Sequence, residues 1–547
     1  MTAQPSGAGG RSYDVVVVGG GHNGTVCAAY LARAGQRVLL VERRPSVGGV
    51  LNGGKPASGV RASGLVHSIG RLSPQVAREL RLADHGLRLV RPEVRLTAVR
   101  ADGPPLSLWA DADRTARELR AISPADGEAF DQFDRESSAF ASMLARVNAK
   151  PPPDVERLRG SDMVSSLQMW FGFRGLGARR ARQLLRVLPM SIADHLADHF
   201  ESEQLRAALA WRGVRFTSLA PSDDGSALVF LSDMAGTGDG VTGEFAVARG
   251  GGPAVAAALA GAAQARGVEI ETGAEVTQIE VRDGRAVGVE LASGERIGAQ
   301  AVASGLDPKR TLLGLVDPAV LGPMTGWEVD NLRLGGGVAV VQLALAGLPD
   351  FAGIDGGESD PRLLGRLLIA PSLRALDRAA DAIKAGRLAD ELALEATIPT
   401  LLDPELVDDG AAPRHVMSVL VQGTPYHLQD GDWDSQREAL GDQVIGQLET
   451  VAPGIGELVV DRRVVTPLDL ERDYGLSEGH PLHGEPALDQ WFAWRPMFGY
   501  ARYRMPIDRL YLCGSGAHPG GGITGGPGRL AASEVLADVR QGRTPRA

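Results

Sequence analysis

Cysteine is nearly absent: Cys27 and Cys513 are the only two in 547 residues. That excludes a disulfide framework and a cysteine-rich zinc site, and it fits a reducing cytoplasm, the expected location. Lysine is scarce too, at Lys55, Lys150, Lys309 and Lys384, with arginine supplying the rest of the positive charge. The balance is acidic, 57 basic against 67 acidic residues, for a formal net charge of −10. Such a chain lacks the basic surface that phosphate neutralisation needs, so nucleic acid is not an expected partner. No apolar run approaches a transmembrane helix in length. Met1 to Ser12 has no apolar signal-peptide core. What remains is the composition of a globular protein, 44% hydrophobic and 23% charged.

Glycine, by contrast, is abundant and placed. Val15 to Val18 is a β-branched run without polar alternation, as in a parallel strand buried on both faces. It enters Gly19-Gly20-Gly21-His22-Asn23-Gly24, a G-x-G-x-x-G turn at Gly19, Gly21 and Gly24, followed by a helix over 25–34 that Gly35 stops. A second strand, Val38 to Val41, ends on Glu42, 18 residues after Gly24. Each part has a reason. Gly19 permits the tight turn, Gly21 lets backbone approach a pyrophosphate, and Gly24 lets helix and strand pack closely. The helix N-terminus offers free N–H groups and partial positive charge, and Glu42 stands where an acid accepts hydrogen bonds from a ribose diol. A second match, Gly238 to Gly243, is followed by Glu244-Phe245-Ala246-Val247 and reads as a loop.

Arg43-Arg44-Pro45-Ser46-Val47-Gly48-Gly49 then brings backbone close to a large cofactor again. Fingerprint, acid and glycine pair together resemble the FAD-binding flavoprotein superfamily that includes amine oxidases and phytoene desaturases. Near the C-terminus, strand Leu510 to Cys513 feeds Gly514-Ser515-Gly516-Ala517-His518-Pro519-Gly520-Gly521-Gly522-Ile523 and a helix over 527–539. That run resembles the terminal motif of phytoene-desaturase-like proteins. His483-Gly484, Leu488-Asp489-Gln490, Arg495-Pro496 and Gly499-Tyr500-Ala501 resemble one branch of them, the pyridine nucleotide-disulfide oxidoreductase domain-containing protein 2 type. The resemblance implies FAD as cofactor. It assigns Gly19, Gly21, Gly24, Glu42, Arg43, Gly48, Gly49, Val276, Gly514, Gly522 and Ile523 to FAD binding, with Val276 against the adenine.

The fold expected is α/β: a Rossmann-like, glutathione-reductase-type FAD-binding domain interleaved with a mixed α+β substrate domain. The first would take 12–75, 244–312 and 500–547, the second 76–243 and 313–499. Within them, 278–290 reads as a hairpin turning at Asp283-Gly284. Segments 335–347 and 415–422 read as alternating apolar strands, and 375–394 as helix. Met163 to Met190 mixes Trp170, Phe171 and Phe173 with five arginines. It reads as a helix with an apolar core face and an Arg-rich wet face, membrane-surface contact being the alternative.

Flavin dehydrogenation sends hydride to N5, with the protein supplying orientation and electrostatics. Three histidines near the motifs, His67, His483 and His518, are the candidates for proton transfer. Where carotenoid desaturases carry an acid before a glycine, this chain has Ala62-Ser63-Gly64. Asp489 and Arg495 read as a structural ion pair. None of the four lysines suits the water-holding role that many amine oxidases give to lysine. The reaction expected is dehydrogenation of a small, lipophilic or natural-product-like substrate, with oxygen or a quinone as acceptor. The alternatives are an amine or amino-acid-type oxidase, a redox-neutral flavin isomerase, and a flavin-binding module without turnover.

Overall fold

A computed structural model describes residues 11–61, 64–66, 68–153, 172–235, 245–370 and 372–541. His67, the 238–243 loop and the first part of the basic–aromatic segment, 163–171, lie outside the described residues.

The valine run forms β1 (Ser12–Val18), the centre of a seven-stranded sheet. The chain then turns at the glycines into α1 (His22–Arg33), ends it at Ala34 with Gly35 at φ 88°, and returns as β2 (Val38–Glu42), fully buried and parallel to β1. Beyond β2 lies Glu269–Thr272, also parallel. On the other side β1 pairs with Arg296–Ser304. That long strand divides its far edge. Its first residues pair antiparallel with Arg285–Leu291, and its last three pair parallel with Leu510–Leu512. The hairpin Val276–Arg282 to Arg285–Leu291 turns at Asp283 (φ 51°) and Gly284 (φ 72°), the paired positive φ of a type I′ turn. Helix α1 packs on both Gly251–Gln264 and the C-terminal Gly526–Gln541. Small residues allow it: Ala28, Ala29 and Ala32 are buried, and a Cβ at Gly528 would strike the Asn23 carbonyl.

A second seven-stranded sheet runs in the order Val459–Val465, Val338–Leu345, His415–Gln422, Ala393–Thr397, Arg366–Ile369, Val94–Ala98, Leu106–Trp109. It is antiparallel except where Arg366–Ile369 meets Val94–Ala98. The alternation expected for its central strands does not separate core from solvent. All eight residues of Val338–Leu345 are buried, Val338 and Val340 in one apolar core and Ala339, Val341 and Leu343 in another. Helices cover both faces. One expectation needs correction: 375–394 is not one helix. The helix spans Leu373–Lys384, Gly386 (φ 66°) breaks it, and Leu394 already pairs with Val421 inside the sheet. Strand pairing in a buried sheet overrides the helical propensity of Ala393 and Leu394. Of the basic–aromatic segment, helix Gly177–Val187 buries Ala181, Leu184 and Val187 and exposes Arg179, Arg180 and Arg182, as the core-face reading expects. Among the described residues no helix is long and apolar enough to cross a membrane.

Candidate functional site

The glycines of the first turn do separable jobs. At Gly19 the backbone has φ 91°, and its amide donates to the Val41 carbonyl at 2.8 Å, closing the turn onto β2. A Cβ on Gly24 would drive into the Gly19 carbonyl oxygen, so helix and strand touch only because it is glycine. A Cβ on Gly21 would meet nothing within 4 Å. Its open side faces a cavity of about 350 Å³ lined by Gly19, Gly21, Glu42, Arg43, Gly48 and Gly49. Helix α1 starts there without a capping side chain, leaving its first N–H groups toward the same space.

Glu42 closes the cavity from β2. It is 7% exposed, and its carboxylate accepts from the Gly20 amide at 2.7 Å and the Arg44 amide at 2.9 Å. Each oxygen keeps a lone pair for another donor. Gly48 reaches across to donate to the Gly20 carbonyl at 2.7 Å. A Cβ on Gly49 would stand 3.5 Å from the Gly21 Cα, so the two glycine segments lie backbone to backbone. Val276, at the start of its strand, lines the opposite wall.

Four residues assigned from sequence do not line this cavity. Gly24 buttresses the turn. Gly514 packs on the chain after Arg296–Ser304, where a Cβ would sit 2.5 Å from the Gly305 carbonyl oxygen. Gly522 touches the cavity wall through its carbonyl, 3.1 Å from His22 Nε2, and Ile523 is buried beside it. Sequence reasoning missed His22, Arg310 and Ser515, which do line it. His22 and Ser515 occupy variable positions of recognised motifs, but nothing local marked Arg310.

Of the three candidate histidines, His483 reaches the cavity. It is held at φ 58°, and its Nδ1 has no partner. Burial lowers its pKa, with Asp307 opposing and Arg495 assisting, so it is neutral at neutral pH. His518 is fully buried away from the cavity, its ring 5.6 Å from that of Phe492. Burial pushes it down to about 3. The carbonyls of Lys150 and Val147 oppose that shift, yet neither ring nitrogen completes a hydrogen bond. The expected ion pair of Asp489 with Arg495 is not formed. Asp489 pairs with Arg333 instead. Arg495 is 3% exposed and donates to the carbonyls of Leu482, Gly484, Glu485, Gln490 and Ser515. Five carbonyl dipoles replace a carboxylate, because Arg495 organises the loop that carries His483. Cys27 and Cys513 are free and buried. A hydrogen bond to Cys513, together with burial, lifts the Cys27 thiol well above its ordinary range, so it is no thiolate.

The arrangement is fitted to a dinucleotide. It offers an open backbone at Gly21, uncapped helix N–H groups, a buried acid, and unpartnered Arg310 Nε and His483 Nδ1. A family model described as FAD dependent oxidoreductase matches residues 14–152. The rat (Rattus norvegicus) pyridine nucleotide-disulfide oxidoreductase domain-containing protein 2 is 33% identical over 559 residues, covering 98% of this chain and 96% of that protein. The chain belongs to that family of FAD-dependent oxidoreductases. FAD is the cofactor of this flavoprotein. The family member is also similar to phytoene desaturase (neurosporene-forming) of Cereibacter sphaeroides, 26% identical over 96% of this chain and 94% of that one. In fold the flavoprotein resembles wild-type putrescine oxidase, with a TM-score of 0.59 at 17% identity over 97% of this chain and 99% of the other.

Proposed function

We propose that this flavoprotein is a dehydrogenase that desaturates a carbon–carbon bond of a lipophilic or natural-product-like small molecule. Bound FAD supplies hydride acceptance at its N5. The remaining chemistry belongs to the chain. In this reading Glu42 takes the ribose diol, Gly21 and the first amides of α1 take the pyrophosphate, and Val276 backs the adenine. Arg43, Gly48 and Gly49 lead toward the flavin, and the Gly514–Ile523 segment meets its far side. Residues 12–75, 244–312 and 500–547 form the FAD-binding unit, and 76–243 and 313–499 the substrate unit.

The observation that carries the reading is the likeness, over 96% of this chain, to a phytoene desaturase. The lysines support dehydrogenation over amine oxidation. Lys309 is engaged by Glu478 and Lys384 by Asp223, each at 2.7 Å, and none of the four lines the cofactor cavity. His483, which lines the cofactor cavity, is the proposed proton acceptor. Oxygen or a quinone is the proposed acceptor, in a cytoplasmic protein able to touch a membrane surface.

The test is anaerobic mixing of the purified yellow protein with a panel of lipophilic alkanes, alkenes, acids and amines, following the flavin band. Bleaching by a saturated substrate with formation of its alkene is expected. Bleaching by amines alone, with imine products, would replace this reading by an amine oxidase.

A further inference from the structure

Four large apolar side chains stand out of the surface at one place that the cofactor cavity does not use. Helix Pro323–Asp330 buries only Val329. Met324 is 68% exposed, and Trp327, one turn later on the same side, 65%. Trp327 lines a groove of about 510 Å³ together with Trp494, 50% exposed, and Phe498, 53% exposed. The last two rings lie 6.5 Å apart between centroids. Aromatic side chains carry 150–250 Å² each, so these three leave roughly 300–400 Å² of ring surface in water. Met324, exposed Leu488 and the groove walls extend the face. It approaches the roughly 800 Å² that one partner of a stable dimer gives up, and contiguous apolar patches of this kind mark contacts.

The charges around the groove narrow what can cover it. Arg333 is the one cation that lines it among the described residues. Both oxygens of Asp489 hold that guanidinium, and Glu485 lies 3.3 Å from its Nε. No cation is left to meet anionic lipid or nucleic acid. Arg333 and Asp489 cancel, leaving Glu328 as the other acid of the rim. Two copies of an acidic chain can therefore approach here without strong local repulsion.

The face also carries both halves of a contact. Met324 and Trp327 form a ridge, and the groove lies beside it. A two-fold pair needs that combination, because each copy presents the same patch and the ridge of one must enter the groove of the other.

We propose that this face is the contact between two copies of the chain related by a two-fold axis, with Trp327, Trp494 and Phe498 at its centre. The contact bears on the cofactor site. Trp494 and Phe498 flank Arg495, which donates to the carbonyls of Leu482, Gly484 and Ser515. Covering the two rings steadies the loop that fixes His483.

The test is sedimentation velocity of the full-length, FAD-loaded flavoprotein over a wide concentration range. A dimer is expected. Trp327→Glu should weaken it at least about thirtyfold, the scale of losing an aromatic anchor, with FAD content and Tm kept. Met324→Glu should act in the same direction. Leu185→Glu, at a residue 58% exposed on helix Gly177–Val187 and outside this face, should leave the dimer intact. Backbone hydrogen exchange over 488–500 should be slower in the dimer than in monomeric Trp327→Glu. A monomer at every concentration would overturn the proposal, as would a dimer unchanged by Trp327→Glu and Met324→Glu, or one that Leu185→Glu also breaks. Equal exchange over 488–500 in dimer and monomer would overturn it too. A monomer that co-sediments with phosphatidylcholine vesicles, and stops doing so in Trp327→Glu, would give the face to a membrane surface instead.

Discussion

The Glu42 carboxylate holds the Gly20 amide at 2.7 Å, tying the end of β2 to the turn that follows β1. One side chain thus serves the loop and, in the proposed complex, the ribose. Glu42→Ala is expected to weaken FAD retention by about 1.5–3 kcal/mol, the scale of charge-assisted hydrogen bonds. Equilibrium FAD titration of the apoprotein measures it, and unchanged affinity would remove Glu42 as ribose ligand.

Gly21 and Gly24 should fail differently. Gly24→Ala forces a methyl into the Gly19 carbonyl and is expected to cost roughly 1–3 kcal/mol of stability or more. Gly21→Ala meets open space at an allowed φ of −63°, so apoprotein stability should hold while FAD affinity falls. Urea unfolding and FAD titration of both variants separate the two effects; equal loss of stability would contradict the division of labour.

How much of this was legible in the sequence follows from how local each contact is. The first turn, the Gly48–Gly49 approach and the Asp283–Gly284 hairpin rest on neighbours within a few dozen residues, and pattern marked them. Arg310 lines the cavity with its guanidinium against Gly475, and Arg495 is fixed by carbonyls of a loop with no period of its own. Neither leaves a trace in spacing. The second sheet misleads for another reason. With helices on both faces, its alternation distinguishes two cores and not core from water.

Acid should destabilise the fold in a defined window. Burial pushes His22 down to about 4, and His480 and His518 to about 3, from an ordinary 6.5. Between those values the unfolded chain binds protons that the folded chain refuses. The stabilisation is therefore complete above pH 6.5 and declines as pH falls toward 3–4, by up to ~1.4 kcal/mol per histidine per pH unit. Urea midpoints at about pH 7, 6 and 5 should fall in that order. A flat series would mean that these rings protonate in place.

NADH and NADPH are not expected to reduce the flavin directly. Gly335-Gly336-Gly337 leads into strand Val338–Leu345 and not into a helix N-terminus, so it offers no phosphate seat. Anaerobic stopped-flow mixing with each nucleotide should leave the flavin band oxidised; rapid bleaching by either would reject the expectation.

The divided edge of Arg296–Ser304 sets an order on biosynthesis. Its first half is satisfied by a hairpin partner only a few residues upstream, but its second half waits for Leu510–Leu512. A ribosome must therefore translate more than two hundred further residues before the sheet that cradles the nucleotide is closed. Until then the strand presents unpaired backbone beside the turn at Gly19, a surface open to mispairing. Chaperone protection of the nascent chain should therefore matter most while residues 305–509 emerge.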